Sequence, residues 1–567
     1  MERPSTAGLF ESPAAARLPL SAAQIGVWLA QKLAPRSPAY NIGGYVEIFG
    51  EVSRSVLELA ILQVVQQADS LRCRFVDTPE GPRQVVTTVN SLELPLVDFS
   101  TRSNPRADAM AWMRGATDTH FDLASTPPYR VALLKVSDEQ YFCCGVFHHL
   151  VTDFFGIILL LRQVAVRYSA LLNRASAPPL DLTPWAEILQ DEQDYRSSAR
   201  YSKDRAFWIR QLQGRPETVT LSGQPPGWPS TTIEHETSIP GATFQRLDEL
   251  GTACNVGVVG VLFAALAVYL SRLSGQRDLL LGMPVAARTG PKHRASTGFM
   301  SNVVPLRLQI DPGERFTDLL RQVGTRISEA FRHQRYGSSA LRTDLGLAAN
   351  APNIFGPVLN FLPSDASFAF GGQPGRPHLF TNTRTVEDLR LTVHASTGGC
   401  DAMLQLSANA DRYAERTLRG HERNLLQLLD AIAATPELPA GLLPIVRDAE
   451  RRQLLQEWSG ATRARGSPGF IEQFDFQVRR DPQAVAAILG DRLVSYAELD
   501  ARASRLARRL VQQGVGPERV VGLWADRSLE MLVGMLAVWK AGGAYLPLDP
   551  AYPAQRLELM VADAQPM

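Results

Sequence analysis

The chain has 567 residues, too many for one ordinary hydrophobic core, and its length predicts about three to four structural units. Apolar residues make up 45% and charged residues 20%, which is typical of a globular protein. With 58 basic and 57 acidic side chains the net charge is +1, so the sequence gives no reason to expect nucleic acid or an anionic membrane as a partner.

The cysteine pattern and the hydropathy exclude several other classes. The five cysteines include no C-x-x-C pair and no zinc-ligand spacing. No signal peptide precedes the first predicted element, and no apolar run reaches the roughly 18 residues of a membrane span. We therefore expect a cytoplasmic protein with no membrane span and no structural metal.

The first elements along the chain are a tail, a helix, a strand and a second helix. Residues 1–17 are small and polar and predict a flexible tail. In Leu18–Trp28, Ser21 is suited to cap a helix that carries a tryptophan into the core. Tyr45–Ile48 predicts a strand, and Ser53–Gln67 has the periodicity of an amphipathic helix.

A β-hairpin comes next and ends at two adjacent histidines. Val131–Val136 and Tyr141–Phe147 are apolar runs, and Ser137–Glu139 between them has turn chemistry. Neighbouring side chains on a strand point to opposite faces, so only one of His148 and His149 can face a given cleft.

The hairpin leads into a helix, predicted over Phe154–Tyr168 from its apolar periodicity. Thr152 or Asp153 is suited to cap its N-terminus. On the residues alone, Asp153 has two interpretations: a helix cap beside ordinary strand-end histidines, or part of a catalytic H-H-x-x-x-D constellation.

The second half of the chain alternates helices and strands. Residues 177–184 are Pro-rich and separate two lobes. A mostly helical segment around Trp185–Trp208 follows, then a buried helix over Leu262–Leu273 and a strand over Leu279–Arg288 that ends in the arginine. A strand at Leu404–Ala408 and a final helix over residues 414–434 complete this part.

The stretch from His148 resembles the H-H-x-x-x-D-G motif of condensation domains in nonribosomal peptide synthetases. Other signatures of that family occur in order, and together they cover residues 18–440. They are Leu18–Trp28, Ser70–Phe75, Asp204–Trp208, Gly298–Leu306, His333–Tyr336, Phe355–Phe361 and Glu387–Leu391.

The resemblance implies an α/β fold of two lobes, each similar to chloramphenicol acetyltransferase, in a V-shaped pseudo-dimer with the active site in a tunnel between them. We place the N-lobe at residues 18–180, the C-lobe at 181–440 and a linker at 441–467. The implied reaction is acyl transfer, in which an acceptor amine attacks the thioester carbonyl of a donor.

The resemblance also assigns roles to individual residues. His149 matches the catalytic histidine, and imidazole has a pKa suited to general base catalysis. His148 is expected to be structural, and Asp153 is expected to pair with Arg288. Backbone N–H groups of Phe154, Phe155 and Gly156 are candidates for the donor tunnel and for oxyanion stabilisation, because a helix N-terminus is electropositive.

One position departs from the family pattern, since Phe154 replaces the glycine of the motif. Glycine is used where backbone approaches a ligand closely, so a phenyl ring here would narrow the tunnel and select the donor. Gly156 is expected to compensate in part.

Residues 468–567 resemble a different family, the N-terminal part of an adenylation domain. The resemblance rests on Leu493–Leu499 and Lys540–Pro550. The sequence ends before that family's phosphate-binding loop, so we expect a partial α/β subdomain without an ATP site.

The function we expect is that of a starter domain, because no carrier precedes residue 18. It would N-acylate the first carrier-bound amino acid with a fatty acyl group. Its partners would be acyl-CoA or a donor carrier protein, a downstream aminoacyl carrier and its own adenylation domain. No cofactor is expected in the chain, since the substrates are phosphopantetheine thioesters or acyl-CoA.

Two alternatives remain open. One is an aryl-acid donor on a separate carrier, because His333–Tyr336 and Phe355–Asn360 also resemble the condensation domain of enterobactin synthetase. The other is a catalytically silent recruitment domain of the same fold, for which Phe154 is the main support.

Overall fold

The computed structural model describes residues 17–125, 127–348, 351, 353–363, 367–381, 386–395, 400–460 and 468–567. Most of the predicted tail and residues 461–467 of the predicted linker lie outside these ranges. The chain divides into two compact units, Met1–Leu454 and Leu455–Met567, which are described separately.

Among its described residues, the first unit contains two six-stranded sheets and a small three-stranded sheet. Its strands are β1 (Arg17–Pro19), β2 (Asn41–Phe49), β3 (Cys73–Thr78), β4 (Gly81–Val86), β5 (Leu96–Asp98), β6 (Tyr129–Ser137), β7 (Gln140–His148), β8 (Thr232–Ile239), β9 (Asp278–Val285), β10 (Asn302–Gln309), β11 (Val358–Pro363), β12 (Phe368–Phe370), β13 (Gln373–Thr381), β14 (Leu389–Ala395) and β15 (Ala402–Asn409).

Its helices are α1 (Ala22–Leu33), α2 (Arg54–Gln67), α3 (Pro105–Thr117), α4 (Phe154–Leu172), α5 (Trp185–Ser197), α6 (Ala199–Leu212), α7 (Gly241–Ala253), α8 (Gly257–Ser274), α9 (Pro291–Arg294), α10 (Phe316–Arg332), α11 (Ser338–Asp344), α12 (Glu415–Ala434) and α13 (Asp448–Arg452). The predicted hairpin is β6 and β7, which pair antiparallel.

Each large sheet is the centre of one lobe. The N-lobe sheet has the order β12-β13-β2-β7-β6-β5, and the C-lobe sheet has the order β10-β9-β11-β14-β15-β8. Two separate hydrophobic cores lie against these sheets, and buried α8 belongs to the C-lobe core. The two-lobe α/β architecture predicted from the sequence is therefore present.

The lobes are not contiguous in sequence, which differs from the predicted division at residues 180/181. Strands β12 and β13 come from the second half of the chain but join the N-lobe sheet, where β13 pairs antiparallel with β2. Trp185 from α5 and Phe299 also pack into the N-lobe core. Because a strand's pattern of side chains does not specify its pairing partner, sequence periodicity could not predict this exchange.

Two helices of the first unit, α4 and α8, are long and apolar enough to cross a membrane by length and composition. This corrects the expectation that no segment reaches that length. Within the fold, 72% of the apolar window of α8 is buried, so the C-lobe core accounts for its composition.

The second unit contains two two-stranded sheets and four helices among its described residues. A small core around Phe474, Leu499 and Leu536 holds α14, α15 and α16 together. The elements are α14 (Phe470–Arg480), β16 (Val485–Leu489), β17 (Arg492–Ser495), α15 (Tyr496–Gln512), β18 (Val520–Trp524), α16 (Leu529–Lys540), β19 (Ala544–Leu548) and α17 (Ala554–Ala564).

Candidate active site

The two histidines lie where β7 ends, and they face opposite ways as strand geometry requires. His148 is the last residue of β7, pairs with Asn41 of β2 and is only 2% exposed. His149 is half-buried and lines a cavity of about 1090 Å³ whose wall comes from both lobes, called the interlobe cavity below.

His148 makes hydrogen-bond contacts within the N-lobe. Its Nε2 lies 3.2 Å from Oε1 of Gln31, and its Nδ1 accepts a hydrogen bond of 3.2 Å from the backbone N–H of Leu150. Burial, together with the neighbouring His149, lowers the pKa of His148 to about 3. The ring is therefore neutral at physiological pH and connects β7 to α1.

His149 is held by its backbone while its ring meets the cavity. Its N–H donates to the carbonyl of Tyr40 at 2.8 Å, and its ring centroid lies 5.3 Å from that of Phe299. Burial lowers the pKa of His149 to about 4, although the negative charge of Asp153 opposes this effect. The imidazole is thus a free base at neutral pH, the form that can accept a proton.

Asp153 is the N-cap of α4 and also joins the two lobes. Its Oδ1 accepts from the backbone N–H of Gly156 at 3.0 Å. Its Oδ2 accepts from Arg288 Nη1 at 2.8 Å and from the N–H groups of Met300 and Ser301, each at 3.0 Å. With four donors around it, this buried carboxylate connects the start of α4 to Arg288 and to the residues before β10.

Arg288, predicted as the partner of Asp153, lies three residues beyond the end of β9 rather than on the strand. Its side chain is 2% exposed, and its Nη2 donates to the carbonyl of Gly298 at 2.9 Å. The guanidinium carbon also lies 4.6 Å from the ring centroid of Phe155, a cation–π contact. Arg288 therefore fixes the loop before β10 against the start of α4.

In the first turn of α4, Gly156 differs from the expectation that its N–H is available as an oxyanion donor. The N–H of Gly156 already donates to Asp153, and Gly156 does not line the interlobe cavity. A Cβ at this position would lie 2.3 Å from the carbonyl oxygen of Thr297, so close packing requires the glycine. Phe154 and Phe155 are half-buried and do line the cavity.

The C-lobe wall of the interlobe cavity carries charged residues to which the sequence assigned no role. Glu387, Asp388 and Arg390 all line it. Asp388 is 3% exposed, and burial raises the pKa of its carboxyl to about 7 even though Tyr413 Oη donates to it at 2.7 Å. The alternation of apolar and charged residues along β14 could have revealed Arg390, because apolar Leu389 and Leu391 require Arg390 to face the opposite side of the sheet.

A metal site is not evident in the part of the chain that the structure describes, since no group of three or more His, Cys, Asp or Glu side chains is suitably placed. The lining of the interlobe cavity includes the imidazole of His149 and charged side chains such as Asp153, Arg288 and Arg390.

Comparison with known proteins identifies the family of the chain. Residues 14–455 match the family model for the condensation domain, and residues 474–567 match part of the AMP-binding enzyme family. The dimodular nonribosomal peptide synthase of Bacillus subtilis (strain 168) is 32% identical over 96% of this chain. The isonitrile lipopeptide synthase of Streptomyces coeruleorubidus is 31% identical over 97%. The chain spans 23% and 37% of the length of these two relatives.

Solved structures of condensation domains also resemble this chain, and two of them illustrate the match. A variant of the starter condensation domain of rhizomide synthetase RzmA, in complex with C8-CoA, has a TM-score of 0.70 and 32% identity and covers 75% of this chain and 97% of its own. The first condensation domain of the calcium-dependent antibiotic synthetase has a TM-score of 0.71 and 26% identity, covering 76% and 99%. This chain therefore belongs to the condensation-domain family of nonribosomal peptide synthetases, which form amide bonds, and continues into a partial AMP-binding region.

Proposed function

We propose that this chain is a starter condensation domain that acylates the amine of a carrier-bound amino acid with a fatty acyl thioester. The observation that carries the proposal is a neutral, half-buried imidazole, His149, on the wall of a large cavity between two lobes. A cavity shared by two lobes can receive two thioesters, and a neutral imidazole can accept the proton that amide formation releases.

The chemistry follows from these positions. The acceptor nitrogen attacks the thioester carbonyl carbon, and the electron pair of the C=O bond moves to oxygen. His149 takes the proton from nitrogen as the new C–N bond forms. When the C–S bond breaks, the leaving sulfur carries away its electron pair and receives the proton from the imidazolium. General base catalysis of this kind contributes about 10²- to 10⁴-fold.

A second cavity supports a fatty acyl donor. It has a volume of about 50 Å³, lies inside the N-lobe and is lined mainly by apolar residues of α4 and β7. Ile157 of α4 lines both this cavity and the interlobe cavity, so the two cavities are adjacent. Among the lining residues are Gly145, Phe147, Leu160, Leu161 and Val164. An apolar recess adjoining the interlobe cavity suits part of an alkyl chain, whose burial is favourable by about 0.8 kcal/mol per methylene.

The remaining parts of the proposal concern partners and place of action. The donor would be acyl-CoA or an acyl carrier protein, and C8-CoA is the ligand of the RzmA starter domain named above. The acceptor would be an aminoacyl carrier protein loaded by the adenylation domain that residues 474–567 begin. All of these are intracellular metabolites or proteins, so we propose a cytoplasmic site of action.

The test is a donor panel. The chain is mixed with an aminoacyl carrier protein and with octanoyl-, decanoyl-, myristoyl- or benzoyl-CoA, and the carrier is weighed by mass spectrometry. We expect a mass increase with straight-chain acyl-CoA that disappears in His149→Ala. Acylation by benzoyl-CoA alone would replace the fatty donor with an aryl one. No product from any donor, with a folded protein, would favour a silent recruitment domain.

A further inference from the structure

Arg390 is the feature of the interlobe cavity that the mechanism above leaves unused. It lies on β14 between Leu389 and Leu391, which both belong to the C-lobe core. Successive side chains alternate across a strand, so Arg390 projects from the opposite face of the sheet. It is half-buried there and lines the interlobe cavity together with its cross-strand neighbour Val358.

Arg390 and His149 thus reach one cavity from different lobes. The positive charge of Arg390 acts on the imidazole, since after burial it is one of the causes that lower the pKa of His149. A cation close enough to influence His149 also influences negative charge that develops beside it. Arg390 therefore lies on the wall of the cavity that His149 faces, and its charge acts on that imidazole.

The reaction requires such a charge, because the tetrahedral intermediate carries an oxyanion. The first turn of α4 supplies fewer amides than the sequence predicts, since the N–H of Gly156 donates to Asp153. The N–H groups of Met300 and Ser301, which approach from the C-lobe, donate to the same carboxylate. Three amides near the motif, those of Gly156, Met300 and Ser301, are therefore committed to structure.

We propose that Arg390 is a catalytic residue whose guanidinium stabilises the oxyanion formed when the acceptor amine attacks the thioester. This inference rests on the proposed function of His149. As the C–N bond forms, the carbonyl electron pair moves onto oxygen beside the guanidinium, and the proton moves from nitrogen to His149. When the intermediate collapses, the electron pair returns to the C=O bond, the C–S bond breaks, and the sulfur leaves with the proton from His149.

The surrounding charges are consistent with a cation that stays in place. Burial lowers the pKa of Arg390, and the negative charge of Glu234, two strands away on β8, opposes this effect. Glu387 and Asp388, just before the arginine, have raised pKa values because of burial, so their negative charge is reduced relative to an exposed carboxylate. Arginine keeps its charge over the pH range in which the reaction proceeds.

The test compares Arg390→Met, which keeps length but removes the charge, with Arg390→Lys, which keeps a charge. The control is Thr392→Ser, two residues further along the same face of β14 and outside the cavity wall. Single-turnover acylation is followed with octanoyl-CoA and an aminoacyl carrier. We expect Arg390→Met to lower the chemical rate by about 10²-fold, on the scale of losing one oxyanion donor. Arg390→Lys should lose less, Thr392→Ser should match the parent, and substrate KM values should change little.

Two further readouts separate catalysis from a structural role. Loss of the cation removes one cause of the low pKa of His149, so the acidic limb of the rate profile should move to higher pH in Arg390→Met. The charged groups that act on the pKa of His149 are Asp153 and Arg390, and the neighbouring His148 is neutral. Added guanidinium chloride at millimolar concentration should restore part of the rate in Arg390→Met and none in His149→Ala.

The outcomes decide the proposal. A parental rate in Arg390→Met overturns it. The proposal is also overturned if Arg390→Met has a reduced rate but an unshifted pH profile, no guanidinium rescue and a lower melting temperature that accounts for the loss of rate. Those results would describe a structural residue. Failure of the parent chain itself to form amide with any acyl-CoA would instead overturn the proposed function.

Discussion

The two lobes contribute different chemistry to one cavity. The N-lobe brings His149, a neutral acceptor of protons at the end of β7, whereas the C-lobe brings fixed cations, Arg288 in a loop and Arg390 on β14. Asp153 joins the two, since its donors come from the helix that it caps and from the other lobe. His149 and the cations around it are therefore positioned by separate cores, and the proposed catalysis would depend on the alignment of the lobes.

Among these variants, removal of the proposed proton acceptor His149 should lower the rate of amide formation most. His149→Ala should lower amide formation by about 10²- to 10⁴-fold, the contribution of general base catalysis. Its melting temperature should remain close to that of the parent, because the ring is half-buried and its Nδ1 has no hydrogen-bond partner among the described residues. Stopped-flow acylation and thermal melting provide the two measurements.

His148→Ala is the matched variant for that comparison. It removes a fully buried ring with two hydrogen-bond contacts, so it should lower the melting temperature clearly. Equal losses of stability in the two variants, or near-parental turnover in His149→Ala, would contradict the division of roles between the histidines.

The next effect tests the tie between the lobes. Asp153→Ala or Arg288→Ala leaves its former partner as an uncompensated buried charge, and each should lower the free energy of unfolding of the first unit by about 3–5 kcal/mol. Urea denaturation measures the loss, and the double variant should lose less than the sum of the single ones.

A surface ion pair provides the control for this measurement. Lys292 and Glu187 are 3.0 Å apart but have side chains 69% and 50% exposed, so Lys292→Ala should cost under about 1 kcal/mol. If Asp153→Ala were no more costly than Lys292→Ala, the buried pair would not join the lobes.

The sequence predicts local features of this site better than contacts between distant segments. The hairpin, the capping role of Asp153 and the opposite orientations of His148 and His149 follow from turn chemistry and strand alternation. The Asp153–Arg288 pair came from the family resemblance. The amides of Met300 and Ser301 were missed, because every residue has an N–H and no side-chain pattern identifies which one points at a carboxylate.

Features that depend on tertiary packing were also missed. Strands β12 and β13 join the sheet of the other lobe, and no periodicity specifies that partner. Gly156 was expected to offer a free amide and to compensate in part for the glycine missing at position 154, but the structure shows close packing against Thr297. Both follow from the approach of segments more than 100 residues apart in the sequence.

A smaller effect tests this packing. In Gly156→Ala the new methyl group would meet the backbone oxygen of Thr297 at 2.3 Å, so the loop must move, and we expect a loss of about 1–3 kcal/mol. A methyl group added to Gly115, inside α3, would have no neighbouring atom within 4 Å, so Gly115→Ala should instead be stabilising by about 0.5–1 kcal/mol. Thermal melts of the two variants should move in opposite directions.

The pH dependence of stability tests how much the two histidines, as opposed to the rest of the fold, contribute to acid sensitivity. Both have folded-state pKa values below the ordinary 6.5, at about 3 and about 4. Below pH 6.5 the unfolded chain therefore binds more protons than the folded one, and stability decreases as the pH falls from 6.5 towards 4. Replacing His148 by Gln should flatten this decline in urea titrations, and an unchanged decline would assign it to other groups.

The smallest effect on rate, and the most informative for specificity, concerns Phe154. The ring lies on the wall of the interlobe cavity at the start of α4, where the family motif has glycine. Phe154→Gly should therefore widen the range of accepted donors, with branched and aryl thioesters gaining relative to octanoyl-CoA and at most a modest loss of rate on the native donor.

The stability of the same variant distinguishes a cavity wall from a core position. A half-buried ring has less to lose than a fully buried one, whose truncation costs about 3–5 kcal/mol. Phe142→Leu is the control, because that fully buried ring belongs to the N-lobe core and does not line the interlobe cavity, so its truncation should reduce stability without altering donor preference. Unchanged donor preference in Phe154→Gly, combined with a stability loss of full-core size, would place the ring's role in packing. A broadened donor preference with a small loss of stability would show that Phe154 narrows the N-lobe side of the cavity. The cations Arg288 and Arg390 would then act on the donor from the C-lobe side.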